Sequence, residues 1–375
     1  IGAVHRMAAR LDGQVELVCG AFSADAERSA RSGTALGLPD KRVYADFRQM
    51  MHAEAALPAE QRMHFVAVVT PNDLHFPIAQ AALQAGFHVL SDKPATLTLA
   101  EVLELRELVN STGLAYGLTH TYTGYPLVRE ARERVLAGEL GELRKIVVDY
   151  SQGWLSGPEE GAANKQAAWR LDPARAGASC CMGDIGVHAA NLAEYVSGLR
   201  IASLCADLRA TVPGRQLDDD GAVLLRFEND VRGLLNASQI SAGEENNLRL
   251  RVYGDKGGLD WSQQEPNTLW LRWQDRPTEM LRTGGSYLGQ AATDSTRTPM
   301  GHPEGYIEAF ANIYRDFANC IRQWDAGQGA APSDGDLPGI EAAIRGMQFI
   351  ETAVAASASE QKWHHLENLK ERSHA

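Results

Sequence analysis

Between residues 65 and 120, short apolar runs take turns with helix-length amphipathic segments, and this alternation constrains the fold more than any other feature of the chain. Phe65-Val66-Ala67-Val68-Val69 is continuously apolar, the mark of a strand covered on both faces of a parallel sheet. Thr70-Pro71-Asn72 breaks it, and a helix follows from about Leu74 to Gly86, a residue suited to the left-handed turn that ends a helix. Phe87 to Ser91 reads as the next strand and leads into Asp92-Lys93-Pro94. Thr98 and Glu101 have the T-x-x-E spacing of a capping box, opening a helix to about Asn110, and residues 114–120 give another strand. Upstream, the pattern predicts a helix over 3–12, a short buried strand over 15–20 and a helix over about 25–37. Strands alternating with helices imply βαβ units and a parallel sheet. Such sheets bind ligands beyond the carboxyl ends of their strands, where Asn72, Lys93 and His120 fall.

The pattern changes after Tyr122. A helix over about 126–137 precedes a strand over 145–151, a loop-like stretch rich in Gly, Ala and Pro over 153–180, and a helix over about 184–196. Several strands with tight turns lie between 201 and 273, among them a hairpin at Asn229-Asp230. They predict a large antiparallel sheet and a second domain of α+β type. Residues 276–303 look irregular. Two amphipathic helices close the fold, one carrying Ile307, Phe310, Ile313, Phe317, Ile321 and Trp324 at helical spacing, the other Ile340, Ile344, Met347 and Ile350. The last 15 or so residues are polar and read as frayed.

At 375 residues the chain exceeds one ordinary core, which supports two domains. A net charge of −12 without a long basic run argues against a nucleic-acid partner. No apolar stretch approaches the ~18 residues of a membrane span, so no membrane partner is expected. Five cysteines without a C-x-x-C pair speak against a disulfide framework or a cysteine zinc site, and reduced thiols fit a cytoplasmic location.

Three positions far apart in sequence could carry chemistry. Lys93 directly follows a buried strand, which puts it at the mouth of the sheet; for the tripeptide alone a solvated surface lysine is the commoner outcome. Asp184 and His188 stand four apart on a predicted helix and so share a face. A histidine there can take and return a proton, and a nearby carboxylate can orient it. The same pair could equally be structural at a helix start. A metal pair is a weaker third reading because no further ligands follow at useful spacing. Asn72 has the place of a helix cap, or could face a ligand over the sheet.

Thr70-Pro71-Asn72 with His75, then Asp92-Lys93-Pro94, then Gly183-Asp184-Ile185-Gly186-Val187-His188 together resemble the glucose–fructose oxidoreductase/inositol dehydrogenase (Gfo/Idh/MocA) family over nearly the whole chain. Asp92 stands where the family usually has Glu. The resemblance implies a Rossmann dinucleotide-binding domain over about 1–123 and a C-terminal α/β domain over about 124–375, whose open sheet commonly joins subunits into a homodimer or homotetramer. It implies an NAD(P)-dependent oxidoreductase acting on a secondary hydroxyl of a sugar or cyclic polyol. Lys93 would contact that hydroxyl, His188 would act as acid and base, and Asp184 would bond the substrate and His188. Thr70, Pro71, Asn72, His75 and Asp92 would line the cofactor, Trp169 and Arg170 would approach it, and His120, Tyr122, His302 and Tyr306 would border the substrate. The family opens with a strand and a glycine-rich phosphate turn; residues 1–11 resemble the helix just after that turn, so an upstream segment is expected. Where the family often has an acidic residue for the ribose, this chain has Ser23, which with Arg28 could receive a 2′-phosphate and favours NADP, with NAD open. Two other readings share these residues: a redox-neutral sugar-processing enzyme that retains its cofactor, and a non-catalytic dinucleotide-binding regulator.

Overall fold

The computed structural model describes residues 1–158, 164–327, 337–367 and 369. The N-terminal region supplies helices α1 (Gly2–Leu11), α2 (Ala26–Ala35) and α3 (Phe47–Ala55). Strands β1 (Phe65–Val68), β2 (His88–Ser91) and β3 (Tyr116–Leu118) lie side by side in that order, all parallel, with α4 (His75–Gln84) and α5 (Leu99–Thr112) as crossovers. Thr98 and Glu101 make both bonds of the expected capping box, and Gly86 takes a φ of 83° just past α4. α3 adds to the expected elements; the Asp46 carboxylate caps it by accepting from the Gln49 backbone. The strand expected over 15–20 is reduced to one bridge, Gly20 with Val43. Its apolar residues favour extended backbone, but a ladder forms only where a neighbour runs alongside.

The rest of the chain brings α6 (Pro126–Leu136), β4 (Leu143–Ser151), α7 (Lys165–Arg170), α8 (Pro173–Ala176), α9 (Val187–Ser197), β5 (Ile201–Arg209), β6 (Asp220–Phe227), β7 (Arg232–Ser238), β8 (Asn247–Gly254), β9 (Gly257–Ser262), β10 (Thr268–Trp273), β11 (Glu279–Arg282), α10 (Gln290–Asp294), α11 (Tyr306–Asp325), α12 (Ile340–Ser357) and β12 (His364–His365). Its sheet has nine strands in the order β11-β10-β9-β8-β4-β7-β6-β5-β12, antiparallel except for β4 beside β7. Asn229 and Asp230 turn the β6–β7 hairpin with φ of 57° and 62°, the left-handed pair that such a turn demands. Two stretches hold more structure than expected: α7 and α8 occupy part of 153–180, and β11 and α10 part of 276–303. Helices of four to six residues are too short to show an amphipathic repeat. The tail is likewise partly ordered, since β12 pairs with β5; residues 368 and 370–375 lie outside the described residues.

Strand alternation gives the nine-stranded sheet two faces. Val223, Leu235, Val148, Leu250, Leu259, Leu269 and Leu281 point inward and are buried, with α6, α9 and α12 packed in the same core. The helix expected around 307–324 forms as α11, and its apolar stripe crosses back to the N-terminal half. Phe310, Ile313, Phe317 and Ile321 join Ala8 of α1, Leu90 of β2 and Ala115 in one cluster. The buried Asn312 donates to the carbonyls of Gly124 and Ser295 at 2.8 and 2.9 Å. The two halves therefore share a packed boundary, and side chains from both reach the carboxyl ends of β2 and β3.

Candidate active site

Lys93 stands at the carboxyl end of β2, where Asp92 fixes the backbone. One Asp92 oxygen accepts from the Lys93 N–H and from the Thr119 hydroxyl, both at 2.9 Å, and the other faces Nε2 of His5 at 3.6 Å. Burial opposes charge on Asp92, but His5, Lys93 and His75 around it hold its carboxyl below the usual carboxylate range. The Lys93 ammonium crosses to the second half of the molecule. It donates to the Asp184 carboxylate at 2.7 Å and to the Asp184 carbonyl at 2.6 Å.

Asp184 lies in a π-helical turn, Met182–Gly186, that runs into α9. Such turns often mark functional positions because the widened coil re-aims side chains. The buried Asp218 anchors the entry by accepting from the backbone N–H of Cys180 and Met182 at 3.1 and 2.9 Å. The second oxygen of Asp184 accepts from the Gln239 amide at 2.9 Å and meets Nε of Arg170 at 3.2 Å. Burial pushes its pKa up, yet Arg170 and Lys93 together hold it well below the usual range. Asp184 is thus an ionised hub for two cations.

The expected Asp184–His188 hydrogen bond is not made. The π turn departs from the spacing that puts residues i and i+4 on one helical face, and Asp184 is committed to Lys93, Arg170 and Gln239. His188 instead turns Nδ1 toward Nδ1 of His120 at 3.2 Å. Burial, then the nearby charge of Lys93, drives the His188 pKa well below its ordinary value and that of His120 down to about 3. Both rings are neutral near pH 7. Tyr122 packs edge-on against His188, with ring centroids 4.9 Å apart.

A polar wall continues from Asp184, and sequence reasoning missed most of it. Gln152 donates to Asn246 at 2.6 Å and accepts from the Trp154 indole at 2.9 Å; Tyr150 donates to Asn246 at 2.9 Å, and Asn246 donates to Tyr122 at 3.2 Å. The Tyr122 and Tyr150 hydroxyls also share a hydrogen bond. These residues sit on or next to strands, where polarity alone does not tell a solvent face from a cleft. Arg170 lies over the Trp169 ring at 4.2 Å and the Trp154 ring at 5.9 Å, so Trp169 serves as its platform.

The remaining expected residues divide. Thr70 lies just beyond β1, with its buried hydroxyl lacking a hydrogen-bond partner, a placement that fits a dinucleotide group arriving over the sheet. Asn72 does not cap a helix; it donates to the Ala176 carbonyl at 3.1 Å and so ties α8, beside Pro71-Asn72, to the N-terminal half. His75 is buried between two backbone carbonyls, those of Pro94 at 2.7 Å and Thr70 at 2.9 Å. It pins the Thr70 turn to the Lys93-Pro94 segment. Ser23 accepts from the Asp25 N–H, and the Asp25 carboxylate accepts from the Arg28 N–H at 2.7 Å as the cap of α2. Tyr306 opens α11, and its phenol is pushed up by burial, with Tyr122 and Asp92 near it. His302 is exposed and turned to the Pro299 carbonyl at 3.3 Å, away from the Lys93–Asp184–His188 group. Among the described residues no group of three His, Cys, Asp or Glu side chains could hold a metal.

Two family models match the chain. Residues 1–120 match "Oxidoreductase family, NAD-binding Rossmann fold", and residues 128–260 match "GFO/IDH/MocA C-terminal domain". The uncharacterized oxidoreductase YfiI of Bacillus subtilis is 31% identical over 97% of this chain and 93% of its own length. Levoglucosan dehydrogenase of Pseudarthrobacter phenanthrenivorans is 24% identical over 87% of this chain and 89% of its own. An inositol dehydrogenase homolog from Azotobacter vinelandii, solved with NAD+, superposes with a TM-score of 0.93 at 36% identity, covering 97% of this chain and 94% of that one. The same homolog with NADH and myo-inositol gives a TM-score of 0.89 at 34% identity and the same coverage.

Proposed function

This chain belongs to the GFO/IDH/MocA family of oxidoreductases, and we propose that it oxidises a secondary hydroxyl of a cyclic polyol or sugar reversibly. The observation that carries the reading is the convergence of Lys93, Asp184 and a neutral His188 beyond the carboxyl ends of a parallel sheet. The residues present fit a dinucleotide: Thr70 offers a buried unpartnered hydroxyl, and Ser23, Asp25 and Arg28 cluster at the N-terminus of α2. When bound, the nicotinamide supplies the hydride acceptor or donor. The protein supplies the proton chemistry. His188, neutral and able to expose Nε2, takes the hydroxyl proton. Lys93, held in place by its ion pair with Asp184, stabilises the negative charge that grows on the substrate oxygen. The wall of Gln152, Asn246, Tyr122 and Tyr150 offers several donors and acceptors to a ring bearing many hydroxyls.

The Asp25 carboxylate is exposed at the start of α2 and opposes a 2′-phosphate there, which favours NAD over the NADP expected from Ser23 with Arg28. The NAD-bound relative supports this order. Cys19, Cys180, Cys181 and Cys320 are buried as thiols, which suits a reducing compartment. The outer face of the large sheet is suited to a second copy of the chain.

A panel of inositols and sugars with NAD+ and NADP+, followed at the nicotinamide absorbance band, tests the reading. Net reduction with at least one polyol is the expected result. Substrate conversion without absorbance change would point to the redox-neutral reaction instead, and binding without conversion to a regulator.

A further inference from the structure

His120 carries the strongest unassigned chemistry. It follows β3 in the N-terminal half, is 1% exposed, and meets His188 of the C-terminal half nitrogen to nitrogen at 3.2 Å. Its other nitrogen, Nε2, is buried without a hydrogen-bond partner. With Nδ1 turned to His188 and Nε2 enclosed, the ring presents neither nitrogen at the protein surface, unlike the substrate-bordering role implied by resemblance. We infer that His120 is a positioning residue that fixes the ring tautomer of His188 and shares the proton His188 takes from the substrate.

The chemistry follows from counting protons, and it rests on the functional reading above. Two neutral imidazoles hold two N–H protons on four nitrogens, and two facing Nδ1 atoms form a hydrogen bond only if one of them is protonated. With the proton on His188 Nδ1, the Nε2 of His188 is bare and can accept the hydroxyl proton during oxidation. Reduction runs from the pair that has gained one further proton: His188 then carries Nε2–H to donate, and its Nδ1 recovers a proton from a His120 that holds both Nδ1–H and Nε2–H. When His188 Nε2 gains the substrate proton, the Nδ1 proton can pass to His120, so the positive charge is shared by two rings. Hydride leaves carbon for the cofactor in the same turnover, which balances the oxidation. Around the pair stand Asp92 and Lys93 at the end of β2, Asp184 in the π turn, Tyr122 after β3 and Tyr150 on β4.

His120→Asn puts an amide where Nδ1 stands: it can hydrogen-bond His188 but cannot take its proton. Nitrogen-15 spectra of the full chain with labelled histidines, recorded without substrate, read the tautomers directly. The expected result is a changed His188 Nδ1 signal and titration in His120→Asn; an unchanged His188 spectrum would overturn the inference. With myo-inositol and NAD+ as the probe, His120→Asn should lower kcat by roughly 10²-fold, the lower end of general acid–base contributions. KM should stay within about threefold, and the acidic limb of the kcat profile should move to lower pH because the charge is no longer shared. A superimposable profile overturns the inference. His120→Phe should lose more activity than His120→Asn; equal losses would show a packing role only. An inert parent would sink the functional reading instead, and the spectra would then decide on the pair alone.

Discussion

Asp184 holds two cations with one carboxylate, and that division explains why its neighbours are so closely fixed. Lys93 takes one oxygen, and Arg170 and Gln239 take the other. Asp184→Asn keeps the shape but removes the charge, leaving Lys93 and Arg170 to repel across the site. We expect kcat on the active polyol to fall about 10²-fold or more, with the fold intact by circular dichroism; kcat within twofold of the parent would refute the hub. The three side chains named from sequence do converge, because strand ends and helix starts are legible from apolar pattern and glycine punctuation. Their pairing was not legible, since the i, i+4 rule assumes a regular α-helix and the π turn breaks it.

Buried neutral histidines leave a second mark at this scale. Burial lowers His88 to about 4 and His120 to about 3, whereas the unfolded chain protonates its histidines near 6.5. Below 6.5 the unfolded state binds more protons, so stability is lost as pH falls through the window from about 6.5 to about 4 and 3. Each histidine contributes up to roughly 1.4 kcal/mol per pH unit there. Asp92 and Asp184, held below the usual carboxylate range, add to the loss only below about pH 4. His88→Asn should flatten the fall of the urea midpoint between pH 6.5 and 5, and parallel curves for parent and variant would count against this account.

At the scale of elements, α11 shows what an amphipathic stripe can and cannot tell. The spacing of Phe310, Ile313, Phe317 and Ile321 announced a helix with one buried face, but not which layer would cover it. Long-range packing decided that, seating the helix on α1 and the small sheet rather than on the domain that precedes it in sequence. The contact is close: a Cβ on Gly124 would stand 2.0 Å from the Ala309 carbonyl oxygen. Backbone cannot yield as a side-chain tip can, so Gly124→Ala must displace α11 or the turn after β3. A loss of about 1–3 kcal/mol is expected, as for other overpacked core sites. Phe317→Ala should cost about 3–5 kcal/mol by opening a cavity in the same seam. Urea titrations of both variants check these values, and an unchanged midpoint for Gly124→Ala would mean that the seam is loose.

For the whole molecule, the outer face of the nine-stranded sheet poses the remaining question. Ladder register places Leu224, Leu234, Val147, Arg251, Asp260, Trp270 and Met280 in one row across seven strands. Leu224, Trp270 and Met280 are 47%, 39% and 48% exposed, and Tyr253 beside them is 38% exposed. Between these apolar ends, Arg249 and Arg272 flank Asp260, and Arg251 pairs with Asp149. Large exposed side chains at both ends of this row fit the second copy of the chain proposed for this face, and a twofold pairing would set the same surface of each copy against the other. The inner face has its own helices, so the subunit core does not depend on this contact. Trp270→Glu combined with Met280→Glu should therefore shift the protein from dimer or tetramer to monomer in light scattering while leaving its thermal unfolding cooperative. A parent that is already monomeric at micromolar concentration, or a double variant that still assembles, would remove this face from the interface and leave its apolar row without a role.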